Sequence, residues 1–218
     1  MRTLGGRRPA APHPRRGLPW RDSPMVALDF ETTGLDLDHD HVIAYGAVPI
    51  ERGHVLAGAG RSQLIHPPEP PSARSQTIHL LREVDLADAP ETRVAAAGLR
   101  AALADRFLVT WYADLEIAFL RRLFGGSERV WRRRVIDVRD MTIAVQGAPA
   151  GARRARGYAL TQTAERFGVP VTDPHDALDD ALVTAQLFLV LAAQMPAQMR
   201  GDREPTAREL TALYRSLT

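Results

Sequence analysis

A chain of 218 residues with 45% hydrophobic and 25% charged side chains is long enough to bury one core and short for two, taking roughly 150 residues per domain. It contains no cysteine, which excludes a disulfide framework and thiolate metal sites and makes a cytoplasmic setting the expectation. The formal net charge of +2 is too small to announce a polyanionic partner, although all 28 basic residues are arginine. That usage fits a compositional bias, since asparagine is also missing, and it fits phosphate binding by the planar guanidinium.

Residues 1–23 read as a basic, proline-rich tail without fixed structure. They carry Arg2, Arg7, Arg8, Arg15, Arg16 and Arg21, with prolines at 9, 12, 14 and 19 that would interrupt any helix. A folded pattern then begins, and 24–197 is expected to form the main domain. Met25 to Phe30, His41 to Ile50 and Val55 to Ile65 read as three strands of an antiparallel meander, separated by the turn-rich stretches Thr33 to Asp40 and Glu51 to His54. After the proline-rich stretch His66 to Pro71, apolar residues at helical spacing run from Val94 to Leu103. A short strand follows at Phe107 to Trp111, a helix at Asp114 to Phe124 and a strand at Val135 to Val138.

Gly147 to Gly157 is a Gly/Ala/Arg loop, and a helix near Ala159 to Phe167 stops at Gly168 with Pro170 beyond. The last core helix is expected to start at Asp173-Pro174, with an apolar stripe that includes Leu178, Ala181, Leu182, Ala185, Phe188, Leu189 and Ala192. Residues 198–218 form a polar link and a short amphipathic helix. The most apolar segment, Ala181 to Ala197, is interrupted by Thr184, Gln186 and Gln194; it reads as a core helix, and no membrane association is expected. A meander followed by alternating helices and strands implies an α/β fold, a mixed sheet flanked by helices.

Two places carry chemistry. Asp29 and Glu31 end an apolar strand and, two residues apart, point to one face. Like charges gathered there call for a divalent cation, unless both simply lie in solvent. The second place is His175 to Ala181. His175 falls in the expected first turn and Asp180 lies one and a half turns on, while Asp176 and Asp179 are assigned to solvent. An imidazole beside a metal site can act as general base; away from one it is an ordinary surface or capping residue.

Leu28-Asp29-Phe30-Glu31-Thr32-Thr33-Gly34-Leu35-Asp36 resembles the first motif of the DEDDh exonucleases, and His175 to Ala181 resembles their third, His-x-Ala-x-x-Asp-Ala. The resemblance covers roughly Pro24 to Met195 and looks closest to the epsilon-like branch. It implies a ribonuclease H-like fold and 3′-to-5′ removal of nucleotides, DNA being favoured over RNA. In the middle motif, alignment on Phe119-Leu120 places Trp111-Tyr112 over the family's His-Asn and Glu116 over its catalytic Asp, with Asp114 the competing acid two residues early. Thr77 to Arg82 replaces the family's His-Gly-Ile-Thr segment and keeps only His79.

The resemblance makes Asp29, Glu31, Glu116 and Asp180 ligands of two divalent cations, Mg²⁺ or Mn²⁺, and His175 the general base. It makes Thr32, Thr33, Gly34, Leu35 and His79 contacts of the terminal nucleotide. Trp111 and Tyr112 could stack on a base or belong to the core, and Arg153, Arg154 and Arg156 could grip phosphates or lie on a solvated surface. The expected partner is a nucleic-acid 3′ end, single-stranded DNA first and RNA second, within or outside a larger DNA-processing complex. The competing reading is a catalytically weak nucleic-acid-binding or assembly module on the same fold.

Overall fold

Met25, Val26, Ala27 and Leu28 are all buried, and a strand apolar on both faces needs cover on both sides. In the computed structural model this strand, β1 (Met25–Thr32), is the middle of the sheet. It runs antiparallel to β2 (Val42–Glu51) and parallel to β5 (Phe107–Thr110), which in turn pairs in parallel with β6 (Val135–Asp137). On the outer side of β2 lie β3 (His54–Val55) and β4 (Arg61–Leu64), both antiparallel to it. The structure describes residue 14 and residues 17–147, 158–198 and 203–216. The expected mixed sheet is present, with one correction. The third strand is two short ones, because Ala57–Ala59 turns as a 3₁₀ helix between Leu56 and Gly60 and offers little side chain to pack.

Alternation along β1 sorts its side chains between two layers. Val26, Leu28 and Phe30 join one core cluster with Ala95, Leu99, Ile117 and Leu120 of α3 (Thr92–Ala102) and α4 (Ala113–Phe124). Met25 and Ala27 join the other, with Val138 and Met141 of α6 (Val138–Val145) and the apolar side of α8 (Ala177–Gln198). Asp29 and Glu31 follow the odd-numbered register and so share the layer of α8. That helix is long and apolar enough over Ala177–Met195 to cross a membrane by length and composition alone. Its Val183, Leu187, Phe188, Leu191 and Met195 are instead buried in the fold, and it rests on β1, β2 and α6.

The start of α8 departs from expectation. Residues 173–176 form a turn, His175 has a left-handed φ of 70°, and the helix begins at Ala177. Asp176, expected in solvent, caps it: Oδ1 accepts the Leu178 N–H at 2.9 Å and the Asp179 N–H at 3.0 Å. Asp179 folds back likewise, accepting the Thr172 hydroxyl at 2.5 Å and the Asp173 N–H at 2.9 Å. His175 therefore precedes the helix rather than sitting in its first turn.

Four helices had no clear periodic signal: α1 (Ala73–His79), α2 (Glu83–Leu86), α5 (Glu128–Arg132) and α6. In α1 the two buried residues are Ser75 and His79, so an apolar stripe is missing although the segment is helical and capped by Ser72. Two further helices match the reading, α7 (Leu160–Arg166) and α9 (Ala207–Ser216).

The tail boundary at 23 also needs correction. Trp20 is buried, its ring standing edge-on to Phe188 at 5.5 Å, and its backbone N–H donates to the Pro205 carbonyl at 3.0 Å. Pro19 bridges to Thr206, and Ala207 and Leu210 of α9 are buried with it. An indole this large stabilises most by leaving water, which a reading based on arginines and prolines overlooks. Trp20→Ala is expected to lower the unfolding free energy by about 3–5 kcal/mol, measured by urea denaturation of the full chain; a loss under about 1 kcal/mol would show that the segment merely lies on the surface.

Candidate functional site

The strand end and the helix start meet because of one glycine. Gly46 on β2 pairs with Asp29 on β1, and a Cβ there would lie 1.9 Å from the Ala177 carbonyl oxygen and 2.5 Å from the Leu178 Cα. The first turn of α8 thus rests on bare backbone beside Asp29. This approach brings oxygens of Asp29, Glu31 and Asp180 within 4.8 Å of one another. The His175 backbone N–H donates to Asp180 Oδ2 at 3.3 Å, and its imidazole is exposed in the cleft beside Glu31.

Glu116 arrives from the first turns of α4. It is 3% exposed, and its Oε2 has no hydrogen-bond partner in the protein. It lies outside the tightest trio, yet among the charges that raise Asp29 it acts most strongly. Asp114, the competing acid, is drawn away by Arg132 at 3.3 Å. The beginning of α4 is anchored by Asp137, which is buried at the end of β6: its Oδ2 accepts the Ala113 N–H at 3.0 Å while Oδ1 accepts the Asp140 N–H at 2.9 Å. One carboxylate thus closes the N-termini of both α4 and α6.

Every acid of the group is pushed toward its protonated form. Burial holds the Asp29 carboxyl well above the usual carboxylate range, reinforced by Glu116, Glu31, Asp180 and Asp176. Burial and the Asp180 and Asp176 charges raise Glu31 to about 8. Burial raises Asp180 to about 6 against the opposing pull of the His175 N–H, and burial with the Asp137 charge raises Glu116. Among the described residues no arginine pairs with any of the four. Crowded carboxylates, an unsatisfied buried oxygen and hard oxygen donors only are what a divalent cation of the Mg²⁺ or Mn²⁺ class would fit.

The segment after Glu31 is folded tightly around Asp40. Thr33 Oγ1 donates to Asp40 Oδ1 at 2.7 Å, the Asp36 N–H donates to Oδ2 at 2.7 Å, and Thr32 Oγ1 donates to the Gly34 carbonyl at 2.7 Å. A Cβ on Gly34 would meet Asp40 Oδ2 at 2.4 Å, so this turn excludes larger residues. A cleft of about 250 Å³ runs along it, lined by Glu31, Thr32, Gly34, Leu35, Arg74 and His79, with Leu35 70% exposed at its rim.

His79 is buried between this cleft and that of His175. The Leu81 N–H donates to its Nδ1 at 3.1 Å, which leaves the proton on Nε2 to donate to Ser75 Oγ, whose hydroxyl donates to the Thr32 carbonyl. The neutral ring is the form this relay requires, and burial lowers its pKa accordingly. The next residue, Leu80, stands where the resembling segment has glycine, and it adopts a left-handed backbone at φ 59°, the residue being 74% exposed in the His175 cleft.

Trp111 is half-buried against the core that includes α8, and Tyr112 is 40% exposed under the Arg139 guanidinium at 5.3 Å. Continuing the β1–β5 register places Trp111 level with Asp29. Arg153, Arg154 and Arg156 lie outside the described residues.

The RNase T exonuclease family matches residues 26–188. The chain belongs to this family. The chain is 32% identical over 178 residues to a PolC-type DNA polymerase III of Thermotoga maritima, a match covering 80% of this chain and 12% of that protein. It is 29% identical over 177 residues to a DNA polymerase III subunit epsilon-like protein of Rhodobacter capsulatus, covering 80% and 24% respectively. The chain thus spans a quarter or less of these relatives. The fold is that of E. coli exonuclease I, solved with a dT13 oligonucleotide: the TM-score is 0.66 at 15% identity, over 80% of this chain and 42% of that one.

Sequence reasoning missed four residues that build the candidate site. Asp137 is read only as part of a strand, Asp176 is left in solvent, and Asp40 and Gly46 carry no expectation. A glycine inside an otherwise apolar strand is a signal of close backbone approach, and Gly46 could have been found by it.

Two outcomes follow. Gly46→Ala should cost about 1–3 kcal/mol by overpacking and weaken Mn²⁺ binding in calorimetry, because Asp180 is displaced with α8; unchanged Mn²⁺ affinity would detach the glycine from the site. In the unfolded chain Glu31 ionises near its ordinary value, whereas in the fold it keeps its proton up to about 8. The folded state therefore binds more protons across that interval, and metal-free stability should fall as pH rises from about 5 to about 8. Thermal unfolding in EDTA and in excess Mg²⁺ checks this, the cation being expected to flatten the slope.

Proposed function

We propose that the chain is a 3′-to-5′ exonuclease that hydrolyses the terminal phosphodiester bond of a nucleic-acid strand and releases nucleoside 5′-monophosphates. The observation that carries the reading is the convergence of Asp29, Glu31 and Asp180, with buried Glu116 behind them, at the junction of two open clefts. These four carboxylates would hold two divalent cations, Mg²⁺ or Mn²⁺. Such a pair would supply charge neutralisation at the phosphate and lower the pKa of a nearby water.

The chain's own residues supply the rest. His175, exposed at the mouth and tethered through its backbone to Asp180, takes the proton of the attacking water. Thr32, Gly34, Leu35 and His79 line the clefts and position the terminal nucleotide, with Thr33 holding the turn through Asp40. Arg153, Arg154 and Arg156, read from sequence alone, hold phosphates further along the strand, and Tyr112 with Trp111 offers an aromatic surface near Asp29. Glutamate at 116 keeps the charge and ligand type with one more methylene, and its unsatisfied buried oxygen supports an active site over a binding module. DNA is the favoured substrate because of the polymerase relatives and the oligonucleotide-bound structural neighbour. The same relatives support a place within a larger DNA-processing assembly.

The test is degradation of 5′-labelled single-stranded DNA and RNA of equal length with Mg²⁺, Mn²⁺ or EDTA. A metal-dependent ladder shortening from the 3′ end is expected, faster on DNA. Asp29→Ala and Glu116→Ala should each reduce the rate beyond the roughly 10–100-fold that loss of an outer-shell partner costs, whereas Asp114→Ala should leave it within about threefold. No ladder under any condition would favour the binding module.

A further inference from the structure

A second concave surface lies away from the carboxylates, between α3 and the last turns of α4. This groove of about 480 Å³ is lined by Thr92, Arg93, Ala96, Arg100, Arg122 and Phe124, among other residues, and no carboxylate lines it. Arginines without an ion pair among the described residues occur elsewhere too, such as Arg61, Arg129 and Arg166, but here three line a single concavity. Arg21, Arg82, Arg106, Arg121, Arg132 and Arg203 are each ion-paired to an acid. Among the described residues Arg93, Arg100 and Arg122 have no carboxylate partner, so three cations face one concavity uncompensated.

Two of the three are held in place by other means. The Arg100 guanidinium lies 4.6 Å over the Phe124 ring, which fixes its plane while leaving its N–H edge available. Arg122 donates to the carbonyls of Leu37 and Asp40. Those carbonyls belong to the loop whose Asp40 side chain shapes Thr33 and Gly34, the wall of the cleft beside Glu31. The basic groove is therefore mechanically continuous with the site through one loop.

We infer that Arg93, Arg100 and Arg122 form a phosphate-binding groove for the part of the nucleic-acid strand remote from the reacting end. The choice of a polyanionic strand rests on the exonuclease reading and on charge complementarity. Guanidiniums without counter-charges bind phosphates with release of condensed cations, sequence-independently and with a steep salt dependence. A groove beyond the terminal-nucleotide site lets a long strand bind more tightly than a short one and restrains it between cleavage events.

The experiment compares the full chain with the R93A/R100A variant, leaving Arg122 to its loop. Binding is read by fluorescence anisotropy in the Asp29→Ala background, with oligothymidylates of about thirty and about four nucleotides over a salt titration. Site integrity is read separately, in the Asp29 chain, by hydrolysis of the p-nitrophenyl ester of thymidine 5′-monophosphate. The expected result is an affinity loss on the order of tenfold for the long strand, with the slope of log K against log salt shallower by about 1.4. The short strand and the ester should be unaffected, and R93K/R100K should recover the slope. Wild-type affinity and slope in R93A/R100A would overturn the inference, as would a loss that lysine does not recover, since that would report packing against Phe124. Competition by an acidic peptide with strand binding untouched by the variant would overturn it too. Failure of the wild-type chain to hydrolyse the ester or shorten strands would count against the exonuclease reading alone, because the binding comparison does not depend on turnover.

Discussion

Repulsion among carboxylates is the constraint around which this fold is arranged. At separations near 4.8 Å, each charged pair would cost about 3–4 kcal/mol at an effective dielectric of ~20, so three such pairs approach ~10 kcal/mol. The opposing term is the docking of α8. Burying Val183, Leu187, Phe188, Leu191 and Met195 contributes roughly 1.5–3 kcal/mol each, about the same size in sum. The two are of similar size, so the fold can carry the cluster, while burial of the carboxyls, reinforced by their neighbours' charges, keeps them protonated above their ordinary range, and a bound cation would relieve the repulsion that ionisation brings.

The glycine at position 46 makes that balance possible. Without a Cβ, β2 lets the start of α8 settle onto the sheet at the level of Asp29, and the same contact forces Asp180 toward Glu31. The pleat of β1 then does the sorting: even-numbered residues feed the core beneath α3 and α4, odd-numbered residues feed the layer of α8, and the carboxylates continue the odd series past the end of the apolar run. Asp137 performs the corresponding task for Glu116, closing the N-termini of α4 and α6 with one side chain.

How much of this was legible in the sequence depends on the range over which each residue acts. Strand alternation places Asp29 and Glu31 on one face, and the α8 stripe identifies a core helix; both survive in the structure because each is a property of neighbours in sequence. The start of α8 was misplaced because Asp173-Pro174 satisfies a local helix-start rule, while the observed start is decided by Asp176 capping and by the left-handed backbone at His175. Helix α1 was invisible for a related reason: its buried face is polar, used by Ser75 and His79 to reach the Thr32 carbonyl forty-three residues earlier. Trp20 was assigned to a tail since its partners, Phe188 and Pro205, lie at the other end of the chain.

Leu80, at the place where the resembling segment has glycine, shows how one substitution changes the surface of the cleft. Its backbone is left-handed at φ 59°, a conformation glycine adopts at little cost but one that strains a side chain by about 1–2 kcal/mol. That strain persists because both flanks are pinned, His79 through Ser75 and Leu81 through the His79 ring. Its consequence is an exposed leucine in the cleft beside Glu31 and His175. A glycine would leave that wall open, so the substitution narrows the cleft with an apolar surface while the relay behind it is unchanged. Leu80 thus changes what this wall presents to a ligand, while the hydrogen bonds behind it hold the backbone in place.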